Sequence, residues 1–83
     1  MTMRVSVRLF ASLRDTAGED PVSLELQAPA TAEDAWRALV ARHPALAPRR
    51  ASLAAAVNRQ YASFGDAVAD GDEIAFIPPV SGG

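Results

Sequence analysis

Hydrophobic and polar residues alternate in three stretches of the chain, as they do in strands that bury one face. These stretches cover residues 3–10, 22–26 and 73–77. In the first, Val5, Val7 and Leu9 share one face, and Phe10 lies on the opposite face with two arginines. The third directly follows Asp70-Gly71-Asp72, a sequence typical of a turn. The alternation therefore predicts three half-buried strands.

The segment after the second predicted strand has apolar residues at helical spacing. Thr31 stands where a helix N-cap is expected, although Asp34 occupies the position where a full capping box has Glu or Gln. Apolar side chains including Trp36 and Leu39 then recur every three or four residues until Pro44, which cannot continue a helix. The pattern predicts one amphipathic helix of about three turns from residue 32.

The remaining segments carry weaker signals. We predict a helical turn and loop over residues 11–20, a connecting loop over 45–50, a buried strand over 53–57 that ends at Asn58, a short strand over 61–64, and Val68 packed alone from a loop.

The order of these elements predicts an α+β fold, a mixed sheet with one main helix packed across one face. Ubiquitin-like β-grasp topology is the natural candidate. If the first and last strands pair at the sheet centre, Ile74 and Phe76 face Trp36 together with the valines of the first strand. Phe10 and Ile77 then lie on the opposite face.

Composition limits the chemistry that this chain can perform. A length of 83 residues predicts one domain, residues 1–83. The absence of Cys excludes disulfides, iron–sulfur clusters and thiolate zinc sites, and a single His excludes a multi-histidine metal site. All eight basic residues are Arg, which excludes Schiff-base lysines and the P-loop lysine. A net charge of −2 argues against nucleic-acid binding. We expect a cytoplasmic protein, because the sequence has no membrane-length apolar run and no signal peptide.

No catalytic centre emerges from the side chains. Asp70, Asp72 and Glu73 are close in sequence, but Asp and Gly in this pattern are typical of a turn and lack the spacing of a calcium loop. His43 falls in the last turn of the predicted helix with no nucleophile or carboxylate within helical reach, so we expect a structural or exposed role. Arg49-Arg50 is interpreted as a solvated pair without aromatic neighbours.

The C-terminus is the unusual segment. Pro78-Pro79 restricts the backbone and predicts an extended stem, so residues 78–83 are expected to leave the domain as a tail. From Pro79 to Gly83 the tail reaches at most about 17 Å, at roughly 3.3–3.6 Å per residue. Two terminal residues without Cβ form a thin end that fits a narrow channel in a partner. A frayed chain end is the alternative interpretation.

The C-terminal run DGDEIAFIPPVSGG, from Asp70 to Gly83, resembles the signature of the small subunits of molybdopterin synthase, a family of ubiquitin-like sulfur carriers. Weaker similarity extends to residues 55–58 and 9–15. The resemblance implies that a partner activating enzyme uses ATP to adenylate the Gly83 carboxylate. A persulfide donor then supplies sulfur, and the resulting thiocarboxylate passes it to cyclic pyranopterin monophosphate in a pocket of the large subunit.

The same resemblance implies roles for individual residues. Gly83 carries the sulfur, Gly82 allows close approach, and the residues that would contact partners are Phe10, Arg14, Tyr61, Ile77, Pro78, Pro79, Val80 and Ser81. The chain would bind no cofactor or metal, and would act as a non-catalytic subunit of a heterotetramer with the large subunit. Ile77 departs from the family pattern, because an aromatic residue is expected there.

Three other functions stay open. The first is a sulfur carrier for thiamine thiazole or another sulfur product. The thiazole carrier also ends in Gly-Gly, but it is usually shorter and lacks the Ile-Pro-Pro-Val step. A ubiquitin-like protein modifier and a plain binding module are the remaining alternatives. The absence of lysine would prevent the activated terminus from acylating its own side chains, but a genome that favours arginine codons is the preferred explanation.

Overall fold

A computed structural model describes residues 1–79 of the chain. Its elements, in chain order, are β1 (Thr2–Leu9), α1 (Ala11–Ala17), β2 (Val22–Gln27), β3 (Ala30–Thr31), α2 (Ala32–Arg42), a 3₁₀ helix (Pro44–Ser52), β4 (Ala54–Val57), β5 (Gln60–Ala62), β6 (Ala67–Val68) and β7 (Glu73–Ile77). Within these residues, no helix is long and apolar enough to cross a membrane.

Five strands form one mixed sheet in the order β2-β1-β7-β4-β5. The first and last strands, β1 and β7, pair in parallel at its centre, with Val7 opposite Ile74 and Leu9 opposite Phe76. The flanking pairs, β1 with β2, β7 with β4 and β4 with β5, are antiparallel. The predicted α+β, ubiquitin-like β-grasp fold is thus confirmed.

The core lies between the sheet and α2, on the face that the alternation predicts. Val5, Val7, Leu9, Ile74 and Phe76 are all essentially inaccessible to solvent. Trp36 of α2 packs edge-on against Phe76 with ring centroids 5.1 Å apart, a geometry that aromatic pairs favour. Their contact joins the helix to the centre of the sheet.

The start of α2 is capped more completely than the sequence indicates. The Thr31 hydroxyl accepts a hydrogen bond from the Asp34 backbone N–H, at 3.3 Å. The Asp34 carboxylate in turn accepts from the Thr31 backbone N–H, at 2.9 Å. Aspartate therefore completes the capping box in place of the expected Glu or Gln.

Two predicted loops contain regular structure. The stretch 45–50 belongs to the 3₁₀ helix, whose first residue, Pro44, already has the backbone φ that such a helix needs. Leu46 is fully buried and anchors this helix to the core. Val68 does not pack alone, because β6 pairs antiparallel with β3 beside the start of α2. Strands of two residues are too short to produce a visible alternation.

The prediction that Arg49 and Arg50 are both solvated is wrong for each of them. The Arg50 guanidinium donates hydrogen bonds to the Glu33 carboxylate, the shortest being 2.7 Å. It also lies over the Phe64 ring, with its central carbon 3.4 Å from the centroid. Phe64 stacks on Phe76 in turn. Arg49 donates to the Ser12 hydroxyl at 2.6 Å.

His43 ends α2 and has a structural role, as expected, but with a partner that helical spacing could not reveal. Its Nε2 lies 2.7 Å from Glu19 Oε1 in the loop that follows α1. Arg42 Nε donates to the same oxygen at 2.6 Å. These contacts, first from His43 and then from Arg42, lower the pKa of Glu19. The cluster ties the end of α2 to that loop.

Asp20 fixes the end of β1. Its carboxylate accepts hydrogen bonds from the Leu9 backbone N–H at 2.9 Å and from Arg8 Nε at 3.1 Å. The side chain is only 8% exposed. The hydrogen bond from Leu9 is the main reason why the pKa of Asp20 falls below its ordinary value of 3.8, and Arg8 adds to the effect against the opposing cost of burial.

Replacing Thr31 with Ala removes the hydroxyl that caps α2. We expect a loss of about 1 kcal/mol in the free energy of unfolding, the usual cost of deleting such a cap. For a domain of this size that loss lowers Tm by roughly 4–8 °C. Thermal unfolding followed by circular dichroism checks it, with the exposed Thr16→Ala as the matched control. Equal Tm values for the two variants would contradict a stabilising capping box.

The pKa of Asp20 predicts a pH-dependent contribution to stability. A carboxyl group whose pKa is lowered by folding stabilises the fold well above pH 3.8, and this contribution is lost as the pH falls through the lower folded pKa. The difference in unfolding free energy between wild type and Asp20→Asn should therefore shrink below pH 3.8. Urea denaturation at several pH values measures it, with Asp15→Asn removing an exposed carboxylate as control. A difference that is constant with pH would refute this assignment.

Candidate functional site

The outward face of the sheet carries an apolar patch. We define the sheet-face patch by the five residues Phe10, Ala56, Tyr61, Ala75 and Ile77. They line a shallow cleft of about 310 Å³, with Arg8, Arg59 and Glu73 at its rim. The two-residue period of β7 produces this arrangement, since Phe76 points into the core while its neighbours Ala75 and Ile77 point outward.

Phe10 is displayed by the junction between β1 and α1. It lies just beyond β1, which ends one residue earlier than the predicted strand 3–10, and it is 42% exposed. The next residue, Ala11, has a φ of 51°, which is uncommon for a residue other than glycine and turns the chain sharply into α1. The Arg8 guanidinium lies 6.0 Å from the Phe10 ring centre.

Tyr61 is displayed by the tight hairpin between β4 and β5. The two turn residues, Asn58 and Arg59, both have positive φ, as a type I′ turn requires. The Asn58 side chain donates to Asp72 and accepts from the Glu73 backbone N–H, so the turn is fastened to the start of β7. Tyr61 pairs opposite Ala56 and remains 80% exposed.

The chain leaves the sheet between two further clefts. We call residues Ile77–Pro79 the tail root. On one side is the tail-root cleft, an open space of about 670 Å³ lined by the tail root and by Phe10, Ala11, Ser12, Arg49 and Ser52. On the other side, a cleft of about 360 Å³ is lined by the tail root, Tyr61 and residues 51–54. The tail root therefore has an accessible groove along each flank.

The predicted partner-binding residues fall into three groups in the structure. Phe10, Tyr61 and Ile77 come together in the sheet-face patch, and Pro78 and Pro79 adjoin it at the tail root. We expected Ile77 to be exposed on the outward face, but it is half-buried. The reason is that it belongs to the central strand β7 and pairs opposite Ala54. Arg14 is exposed on α1 and lines none of these three clefts. The remaining two, Val80 and Ser81, lie outside the described residues, as do Gly82 and Gly83, the residues predicted to carry the sulfur.

Sequence reasoning missed several polar residues of this surface. Arg8 and Glu73 could have been found, because the alternation of β1 and β7 places them on the outward face with Phe10 and Ile77. Arg49 could not, because its approach to Ser12 joins positions 37 residues apart in the chain. No local pattern marks such a contact.

The acidic turn before β7 is structural, as predicted. Asp70 accepts from the Arg4 backbone N–H, and Asp72 accepts from the Ala69 backbone N–H. Gly71 has a φ of 86°, a conformation that favours glycine. Across residues 1–79, no three histidine or carboxylate side chains converge as metal ligands.

A sequence model of the ThiS family matches residues 7–83. The molybdopterin synthase sulfur carrier subunit of Chlamydomonas reinhardtii is 40% identical over 83 residues, covering 98% of this chain and all of that protein. Small archaeal modifier protein 1 of Haloferax volcanii is 40% identical over 84 residues, covering 92% of this chain and 97% of that protein. The crystal structure of SAMP1 from H. volcanii superposes with a TM-score of 0.89 at 39% identity, covering 96% and 99% of the two chains.

A fourth similarity is to a chain in the protein–protein complex of subunits 1 and 2 of molybdopterin-converting factor from Helicobacter pylori. It superposes with a TM-score of 0.64 at 26% identity, and the alignment covers 98% of this chain and all of that chain. The similarities in sequence and in structure thus both extend over nearly the full length of this chain. The chain belongs to the ThiS family and is a homologue of the ubiquitin-like sulfur carrier subunits that its C-terminal sequence resembles.

Proposed function

We propose that this protein is the sulfur carrier subunit of a molybdopterin synthase. The observation that carries the proposal is the placement of the tail root between two open grooves and beside an exposed apolar patch. Such an arrangement suits a protein that docks on a partner through the patch while its C-terminus enters the partner's active site. Full-length similarity to a molybdopterin synthase sulfur carrier subunit supports this role.

In the proposed reaction, the chain supplies one chemical group, the α-carboxylate of Gly83. A free carboxylate is a poor acyl donor, so a partner enzyme first joins it to AMP from ATP, with release of pyrophosphate. The outer sulfur of a persulfide donor then attacks the adenylate and displaces AMP, which forms an acyl disulfide. A thiol cleaves this disulfide, is itself oxidised to a disulfide with the donor sulfur, and leaves the thiocarboxylate on Gly83. In the complex with the large subunit, this sulfur is transferred to cyclic pyranopterin monophosphate. ATP binding and catalysis thus belong to the partners.

Docking on the large subunit is proposed to bury the sheet-face patch. The H. pylori protein that this chain resembles was solved in a complex of subunits 1 and 2, which supports a partner of the same kind here. Phe10, Tyr61 and Ile77 supply the apolar centre, and arginines with one carboxylate supply the polar rim, the usual anatomy of a protein–protein interface. Ile77 takes the central position with an aliphatic side chain.

Protein modification is the second candidate. The similarity to small archaeal modifier protein 1 of H. volcanii favours it as specifically as the similarity to carrier subunits favours the first. The two functions share an activated C-terminus and differ in the final acceptor, which is sulfur in a carrier and a lysine amine in a modifier. The family match also leaves open a carrier for thiamine thiazole.

Sulfur should be added at the terminal residue and nowhere else. Incubated with ATP, the cognate activating enzyme and a persulfide donor, the intact chain should gain the mass difference of one oxygen replaced by sulfur. Fragmentation mass spectrometry should locate the change on Gly83. Deleting Gly83 or adding one residue after it should abolish the modification and leave Tm nearly unchanged, because glycine has no side chain to bury.

The products formed by this chain distinguish the sulfur carrier function from protein modification. Sulfur found on another residue would overturn the carrier function. If the chain is instead a modifier, denaturing gels of cell extract should show ATP-dependent adducts that disappear when Gly83 is deleted, and their lysine linkage should be visible by mass spectrometry. We expect the thiocarboxylate to be the dominant product.

Replacing Ile77 with Glu should break the proposed docking. An unpaired charge at a desolvated interface centre costs at least about 2 kcal/mol, which raises Kd for the large subunit by about 30-fold. The free domain should stay folded, because Ile77 lies on the outward face, away from the core. Isothermal titration calorimetry measures the affinity, and circular dichroism measures folding.

Ala41→Glu is the matched control, since it adds the same charge at an exposed position of α2. Equal affinity for the two variants would argue against docking through the sheet-face patch. Unfolding of the isolated Ile77→Glu variant would show that this side chain belongs to the core.

A further inference from the structure

The eight arginines divide into two groups by their ionic partners. Six have a guanidinium nitrogen within 4 Å of a carboxylate, namely Arg4, Arg8, Arg37, Arg42, Arg50 and Arg59. Within residues 1–79, Arg14 and Arg49 have no carboxylate at that distance. Arg14 is nevertheless near enough to Asp20 for its charge to help lower the pKa of that carboxyl group, whereas no such effect involves Arg49 among the described residues.

Both of these arginines lie at the end of the molecule from which the tail leaves. Arg14 is on α1 and Arg49 is on the 3₁₀ helix, and these two helices pack against each other. Arg49 lines the tail-root cleft together with Pro78 and Pro79. Arg14 lies on α1 three residues after Ala11, which lines the same cleft, but Arg14 itself lines none of the clefts. The tail-root cleft thus carries the positive charge of Arg49, with no carboxylate within 4 Å of it among residues 1–79.

Arg49 is held in position before any partner arrives. One of its terminal nitrogens donates to the Ser12 hydroxyl at 2.6 Å, and the residue is half-buried between the two helices. A guanidinium has five N–H donors, and its planar fork matches the two oxygens of a carboxylate. Because Ser12 fixes one edge of the fork, less side-chain entropy is lost when another group binds the remaining donors.

We propose that Arg49 binds a carboxylate side chain of the large subunit, which enters the tail-root cleft beside Pro78 and Pro79. This inference rests on the proposed function and adds to it a specific polar contact at the base of the tail. The cleft is continuous with the sheet-face patch through Phe10 and Ile77, so one docked surface covers both. The ion pair fixes the direction in which the tail enters the partner.

Charge reversal at Arg49 tests the contact, with charge reversal at Arg37 as the matched control. Arg37 lies on α2 with a 74% exposed side chain and only a loose 3.8 Å contact to Asp34. Association of the purified full-length chain with the cognate large subunit is followed by stopped-flow fluorescence and calorimetry, and folding of each variant is checked by Tm. Measurements run from about 0.1 M to about 1 M salt, over which the Debye length falls from about 10 Å to about 3 Å.

We expect Arg49→Glu to raise Kd about tenfold or more at the lower salt concentration, mainly through slower association, and the defect to shrink at high salt. Arg37→Glu should change Kd less than about twofold. Arg49→Lys should recover most of the association rate, because it restores the charge. If Arg49→Lys binds as slowly as Arg49→Glu, the contact is not electrostatic and the proposal is wrong.

Two other results separate this inference from the proposed function. If wild type binds the large subunit but Arg49→Glu behaves like Arg37→Glu, the ion pair is refuted while the carrier function stands. An Arg49→Glu variant that binds more tightly than wild type would indicate that Arg49 holds this chain's own terminal carboxylate, which also refutes the proposal. Failure of wild type to bind the large subunit would instead count against the proposed function.

Discussion

Phe76 makes the contact on which both faces of this small domain depend. Its ring is fully buried, packs edge-on against Trp36 and stacks on Phe64, so the centre of the sheet, α2 and the chain after β5 meet at one side chain. Because side chains alternate along a strand, fixing Phe76 toward the core forces Ile77 to the outer face. The same packing that stabilises the fold therefore sets where the tail root begins and which residues surround it.

Charged groups hold the connecting segments in place around the tail root. Asp20 ties the loop after α1 to the last residue of β1, and Glu19 ties the same loop to the end of α2. Arg50 closes over Phe64 and is fastened by Glu33, so a cation covers the edge of the aromatic core. Each contact is modest by itself, but together they determine how α1 and the 3₁₀ helix stand beside the tail root.

Local patterns account for most of the fold and for half of the site. The period of two in β1 and β7 places Phe10, Ile77 and even Arg8 on one surface, and the period of the apolar residues in α2 identifies Trp36 as core. What the patterns could not supply are contacts between distant parts of the chain. His43 meets Glu19 across 24 residues, and the two-residue strands β3 and β6 find each other only in the folded protein. Arg49 belongs to this class, which is why its sequence context suggested only a solvated charge.

The parallel pairing of β1 with β7 has a consequence for how the protein is made. A ribosome releases β1 first and β7 last among the described strands, yet the two are hydrogen-bonded neighbours at the sheet centre. Neither β1 nor β4 can complete its pairing until residue 77 has emerged, so the domain cannot close during most of its synthesis. A chain cut short within or before β7 lacks the central strand and stays unfolded. The surface proposed to meet partners can therefore form only in a chain translated as far as the tail root, because β7 and the tail root line all of its clefts.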